Sequence, residues 1–163
     1  MAKSNTKIVG GAGEHYIAYV LSCFGYITAL VREGSPTIDL LVSDVIGSKT
    51  IAIQVKTTEY AKRNRGRGKN KKLHHLEFPL GHKAVENAVP ELIFSFVDLD
   101  SLDPERKPDV YVIPATVFIE HYADKDIRKH KWFRLHWSIE RMEPFKNNWQ
   151  PVHEALNSVA DEI

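Results

Sequence analysis

The stretch that most constrains this chain is residues 50–57, Thr-Ile-Ala-Ile-Gln-Val-Lys-Thr. Side chains alternate across a strand, so Ile51, Ile53 and Val55 define a core face, while Ala52, Gln54 and Lys56 share the opposite one. An amide and an ammonium group therefore project together from inside an apolar strand, and lysine is rarely buried without a partner. The preceding apolar segment supplies one. Asp39 interrupts Ile38, Leu40, Leu41 and Val42 and faces away from Ile38, Leu40 and Val42. If strands at 37–44 and 50–57 pair as an antiparallel hairpin through Ile46, Gly47 and Ser48, Asp39 lies across from Gln54 to Lys56.

The remaining elements can be set around this hairpin. Gly10 to Gly13 reads as a flexible entry to a helix over 12–24, whose Ile17, Val20, Leu21 and Phe24 have the spacing of one buried stripe, with Gly25 as its cap. Residues 26–32 read as a strand and 33–36 as a turn. A short helix is expected over 80–88, strands over 92–98 and 110–113, and a helix from Pro114. An edge strand over 132–137 and a closing helix over 152–159 complete the series. With no internal repeat and no linker, the expectation is one mixed α/β domain spanning 1–163, a central sheet flanked by helices.

Hydrophobic residues make up 43% of the 163 and charged residues 26%, which disfavours disorder and collagen-like or coiled-coil structure. No apolar run approaches a membrane span and no secretory leader pattern is present, so an intracellular, non-membrane location is expected. Cys23 is the one cysteine, which excludes an internal disulfide or a cysteine-built zinc site. Net charge is +1, yet Lys62, Arg63, Arg65, Arg67, Lys69, Lys71 and Lys72 fall in eleven residues without an acid. This basic segment, about 60–75, is expected to be a mobile loop and a contact surface for a polyphosphate backbone.

A carboxylate, an amide oxygen and an ammonium group converging on one volume suit a magnesium ion, which takes oxygen ligands and keeps several waters. Glu14 lies at the N-terminal end of the buried stripe. It reads either as a supporting acid of this site or as a first-turn partner of the helix dipole. Glu33, Asp44 and Glu59 are further acids that spacing alone does not select. His74, His75 and His82 lack a zinc spacing and read as surface or phosphate contacts. Ser35 reads as a turn residue, and His15 as a half-exposed helical side chain. Trp132, Trp137 and Trp149, with Phe133 and Phe145, read as packing rather than as a stacking surface. Gly10, Gly11 and Gly13 lack the strand and the Gly-Lys-Ser/Thr ending of a phosphate loop.

Glu14, then Pro36 and Asp39, then Gln54-Val55-Lys56 resemble the PD-(D/E)XK nuclease superfamily, over roughly residues 11–58. The resemblance implies a restriction-endonuclease-like fold and magnesium- or manganese-dependent hydrolysis of DNA phosphodiesters. By the same resemblance Glu14 is the helix acid, Asp39, Gln54 and the Val55 carbonyl hold the metal, and Lys56 is the catalytic lysine. Gln54 departs from the pattern, which has Glu or Asp there, and Pro36 is not directly beside Asp39. A homodimer is expected by analogy. Two rivals follow from the departure: a nucleic-acid-binding module that has lost catalysis, and a protein-interaction domain.

Overall fold

Asn5 opens the first helix: its side-chain oxygen accepts the Lys7 N–H at 3.1 Å, satisfying one of the donors that a helix start leaves without an intrahelical partner. The computed structural model describes residues 5–157 apart from Glu33, Gly34, Pro36 and Lys131. Helix α1 runs over Thr6–Cys23. It therefore begins well before Ala12, and Gly10, Gly11 and Gly13 lie within it instead of forming a flexible entry. Val9, Gly13, Ile17 and Leu21 form its buried stripe, whereas Phe24, expected in the stripe, is exposed. The helix ends as expected at Gly25, whose φ of +90° accompanies bonds from Gly25 N–H to Ser22 O and from Tyr26 N–H to Leu21 O.

Gly13 is where α1 meets the sheet. A Cβ there would stand 1.9 Å from Thr57 Oγ1, while one at Gly10 meets nothing within 4 Å. Gly10→Ala is accordingly expected to stabilise the protein by about 0.5–1 kcal/mol. Gly13→Ala is expected to destabilise it by about 1–3 kcal/mol, because Thr57 must shift. Urea unfolding of the two variants reads the sign directly, and a stabilised Gly13→Ala would sink the close-approach account.

The main sheet has five strands in the order β1 (Ile27–Leu30), β2 (Leu40–Ser43), β3 (Thr50–Thr58), β6 (Ile93–Asp98) and β7 (Asp109–Pro114). Only β3 and β6 are parallel. One face packs Leu40, Val42, Ile53 and Val55 under α1 and under α5 (Gln150–Asn157). The expected tail of α5 beyond Asn157 lies outside the described residues, as does most of the expected 33–36 turn. The other face is also covered, by Phe78, Leu135, Trp137 and α3 (Ala115–Tyr122), which bring their apolar side chains onto Phe94 and Phe96. Every residue of β6 is buried for this reason.

The basic segment is not a mobile loop. Residues Lys62–Arg65 form β4 and Lys72–Pro79 form β5, joined through a short 3-10 turn at Gly68–Asn70, and β8 (Arg134–Ser138) adds a third antiparallel strand. Charge conceals these strands locally. What holds them is the burial of Leu76 and Phe78 against the main sheet. Short helices α2 (His82–Glu86) and α4 (Ile139–Met142) complete the molecule. Trp137 and Trp149 pack as expected, but Trp132 is 81% exposed. Cys23 is also exposed, at the end of α1. The architecture is a mixed α/β fold with a central mixed sheet flanked by helices, as the sequence indicated. Among the described residues no helix is long and apolar enough to cross a membrane.

Candidate active site

The β2–β3 register, with Leu40 opposite Ile53 and Val42 opposite Ile51, breaks at the next residue: the Asp39 N–H donates to Ile53 O at 2.9 Å, one residue out of register, where the ladder would have set Asp39 opposite Gln54. There β2 ends, while β3 runs on to Thr58. The Asp39 side chain takes over the vacated ladder position, and its Oδ2 accepts the Val55 N–H at 2.7 Å. Alternate residues of a strand present N–H and C=O to the same edge, so the Val55 carbonyl lies on this edge too.

Leu40, Val42, Ile53 and Val55 all belong to the core beneath α1. Gln54 and Lys56 consequently share the opposite face of β3, and Asp39, just before β2 begins, is near enough to Lys56 for their charges to interact. Gln54 is 2% exposed; Asp39 and Lys56 are half-buried. Burial holds the Asp39 carboxyl above its usual range, against the opposing pull of the Val55 N–H and the Lys56 ammonium. Burial likewise holds Lys56 below the usual lysine value, with Asp39 pulling it back up. Both charges are thus disfavoured by the same partly dry setting. A cation would favour the carboxylate, and an anion the ammonium.

Glu14 stands differently from expectation. Since α1 begins at Thr6, Glu14 is not in the first turn, and the dipole reading falls away. It follows Gly13, half-buried, on the helix that covers the Ile53 and Val55 face. It therefore approaches the sheet from the side opposite to Gln54 and Lys56. Among the described residues no group of three or more His, Cys, Asp or Glu is placed to hold a metal ion. The donor set is instead one carboxylate, one amide oxygen and one backbone carbonyl. These are all hard oxygen ligands, which fits an ion that retains several of its waters.

The other acids are elsewhere. Asp44 caps the far turn of the hairpin, accepting the Ser48 N–H at 2.7 Å. Glu59 lies past the end of β3, and Glu33 is outside the described residues. Ser35 accepts the Ile38 N–H at 3.2 Å and so shapes the approach to Asp39. His15 bonds to the Gly11 carbonyl of its own helix at 2.7 Å.

The basic hairpin divides into a base and a tip. At the base, Lys62 lies 3.6 Å from Asp100 and 3.7 Å from Asp109, and Arg63 lies 3.8 Å from Glu77. At the tip, Arg65, Arg67, Lys69, Lys71 and Lys72 are exposed, and no ion pair involves them among the described residues. Lys56 itself opens into a cleft of ≈ 310 Å³ walled by Pro79, Gly81, His82, Trp132 and Arg134, among others. Trp132, expected to pack, instead walls this cleft, and Arg134 had been given no part in the site. The alternation Arg134-Leu-His-Trp-Ser138, matched by His75-Leu-Glu-Phe78, was the signal that marks two half-buried strands.

No protein-family model matches the chain, and no curated protein sequence does. Among solved structures a bacterial homing endonuclease is similar, with a TM-score of 0.59 over 96% of this chain and 96% of that one, at 15% identity. At that identity the likeness is one of fold: the two chains share a mixed α/β architecture.

Proposed function

We propose that this chain is an endonuclease that hydrolyses DNA with a divalent metal, of the PD-(D/E)XK type, with Gln54 in the place of the motif's acid. The observation that carries the reading is the Asp39 carboxylate bonded to the Val55 N–H at 2.7 Å, between Gln54 and Lys56 in sequence and close enough to Lys56 for their charges to interact. The nuclease-like fold supports it.

Asp39, the Gln54 amide oxygen and the Val55 carbonyl would hold magnesium or manganese, and Glu14, across the sheet on α1, stands outside this donor set. When bound, such an ion polarises the phosphodiester and lowers the pKa of its water. The chain's own residues do the rest. The Val55 N–H fixes the Asp39 carboxylate in one orientation. Lys56, open to its cleft, orients the attacking water or balances the charge that develops on phosphate. The hairpin tip, Arg65 to Lys72, neutralises the sugar-phosphate backbone and contributes salt-dependent affinity. Two copies of the chain would serve the two strands of a duplex, which is the reason to expect a homodimer.

A second reading has its own observation. Gln54 offers no charge to a metal, so the same fold would serve as a binding module without catalysis. Incubation with supercoiled and linear DNA separates the two. Cleavage that needs magnesium or manganese, stops with EDTA and is lost in Asp39→Ala is the expected result. Salt-sensitive DNA binding with no cleavage under any divalent ion would establish the binding module instead.

A further inference from the structure

The small sheet turns one face to the core and the other outward, and the outward face carries two arginines and two histidines around one acid. Register places Arg63 opposite His75, Glu77 opposite His136, and Pro79 opposite Arg134, all on that outer side. Leu76 opposite Trp137 and Phe78 opposite Leu135 fill the inner one. Glu77 is held between two guanidinium groups, at 2.6 Å from Arg134 Nε and 3.8 Å from Arg63 Nε. Two cations on one carboxylate leave the group net positive. The Arg63 guanidinium is held by Nη1, which donates to Tyr60 O at 2.7 Å, and the Arg134 guanidinium by the close Nε contact to Glu77. The contact at Arg134 Nε leaves both of its terminal nitrogens without a hydrogen bond among the described residues, the arrangement that suits bidentate capture of a phosphate. His75 and His136 stack beside them with ring centroids 3.7 Å apart.

Position gives this face a direction. Arg134 is a wall of the Lys56 cleft and also of a second cleft walled by His136, Trp132 and Glu77. At the other end, the same strands run out into the exposed basic tip. The eight residues of β5 extend over roughly 25 Å, which corresponds to about seven base-pair steps of a duplex.

We propose that the outer face of the small sheet, through Arg63, Arg134, His75 and His136, docks the sugar-phosphate backbone of duplex DNA and leads it from the basic tip to Lys56. The direction of the track rests on the nuclease reading; the docking itself does not. Arg134 is a positioning residue, and Glu77 holds it in place.

The test is fluorescence anisotropy of the full chain with a labelled duplex in EDTA, over a series of salt concentrations. Arg134→Ala is expected to weaken binding about five- to tenfold and to lower the slope of log affinity against log salt by about one. Arg134→Lys should restore the slope but only part of the affinity, since an ammonium makes no bidentate contact. Glu77→Gln, which removes the negative charge, should tighten binding. Thermal melts confirm that the exposed substitutions leave the fold intact. Affinity and slope unchanged in both Arg134→Ala and the Arg63→Ala/Arg134→Ala double variant would overturn the docking face, as would a wild type with no salt-dependent binding. Cleavage separates the two readings: DNA cut by a protein whose arginine variants bind normally keeps the nuclease and removes the track. Binding that needs Arg134 without any cleavage does the reverse.

Discussion

Replacing Lys56 by alanine is expected to slow DNA cleavage by about 10²- to 10⁴-fold, with little change in duplex affinity. The two effects separate because Lys56 sits half-buried beside Asp39, while the exposed cations that would touch the backbone lie on the hairpin tip and the small sheet. A loss of rate without a loss of binding marks an interaction made mainly in the transition state. Lys56→Arg sharpens the result. Arginine keeps the positive charge and does not give up its proton in a protein. Recovery of most of the rate in Lys56→Arg would assign Lys56 to charge balance. Failure to recover, in a variant that still folds and binds, would assign it to handling the proton of the attacking water. Single-turnover cleavage of a linear duplex measures both. An alanine variant that cuts at the parental rate would sink the assignment of Lys56 altogether.

Gln54→Glu is expected to destabilise the metal-free protein by about 2–4 kcal/mol, the cost of an uncompensated buried charge. The substituted side chain is 2% exposed and adjoins Val55, whose N–H the Asp39 carboxylate accepts, so a second carboxylate there meets both burial and repulsion. For a chain of 163 residues the loss corresponds to a fall in Tm of roughly 5–15 °C. Magnesium or manganese should reverse much of it, because an ion that binds only the folded state stabilises that state by mass action. The expected signature is a variant less stable than the parent in EDTA and much more responsive to added metal. Thermal melts across a metal titration check it. A Tm of Gln54→Glu that ignores both ions would remove Gln54 and its neighbours from the list of metal ligands.

Both predictions rest on a pair of strands that was legible before any coordinates. Ile51, Ile53 and Val55 fix which way β3 faces, and the strict period of two then forces Gln54 and Lys56 to the other side. Asp39 was expected to join them by the period of Leu40 and Val42, but that period stops at Leu40, and it is the Val55 N–H that holds the Asp39 carboxylate at the site. The helix start was misread because three glycines look like a loop when the capping side chain of Asn5 and the close approach to Thr57 are not in view. The small sheet was misread for a related reason. Propensity and charge describe Lys62 to Lys72 as a solvated run, and only the pairing of β5 with β4 and β8, over a core of Leu76 and Phe78, makes strands of it. Tertiary burial overrides local preference in strands more readily than in helices.

The sequence alone therefore determined the chemistry that one hairpin presents, because side-chain direction along a strand is a local property of the backbone. It also determined the broad α/β class. What surrounds that hairpin was decided by tertiary structure. The Val55 N–H reaches Asp39 only because β2 stops where β3 continues. Glu14 approaches from the opposite face only because Gly13 lets α1 lie against Thr57. Arg134 and Trp132 wall the Lys56 cleft only because β8 pairs with β5, more than fifty residues away in the chain. Contacts of that separation depend on which apolar faces find each other in the core. No local period in the sequence encodes that choice.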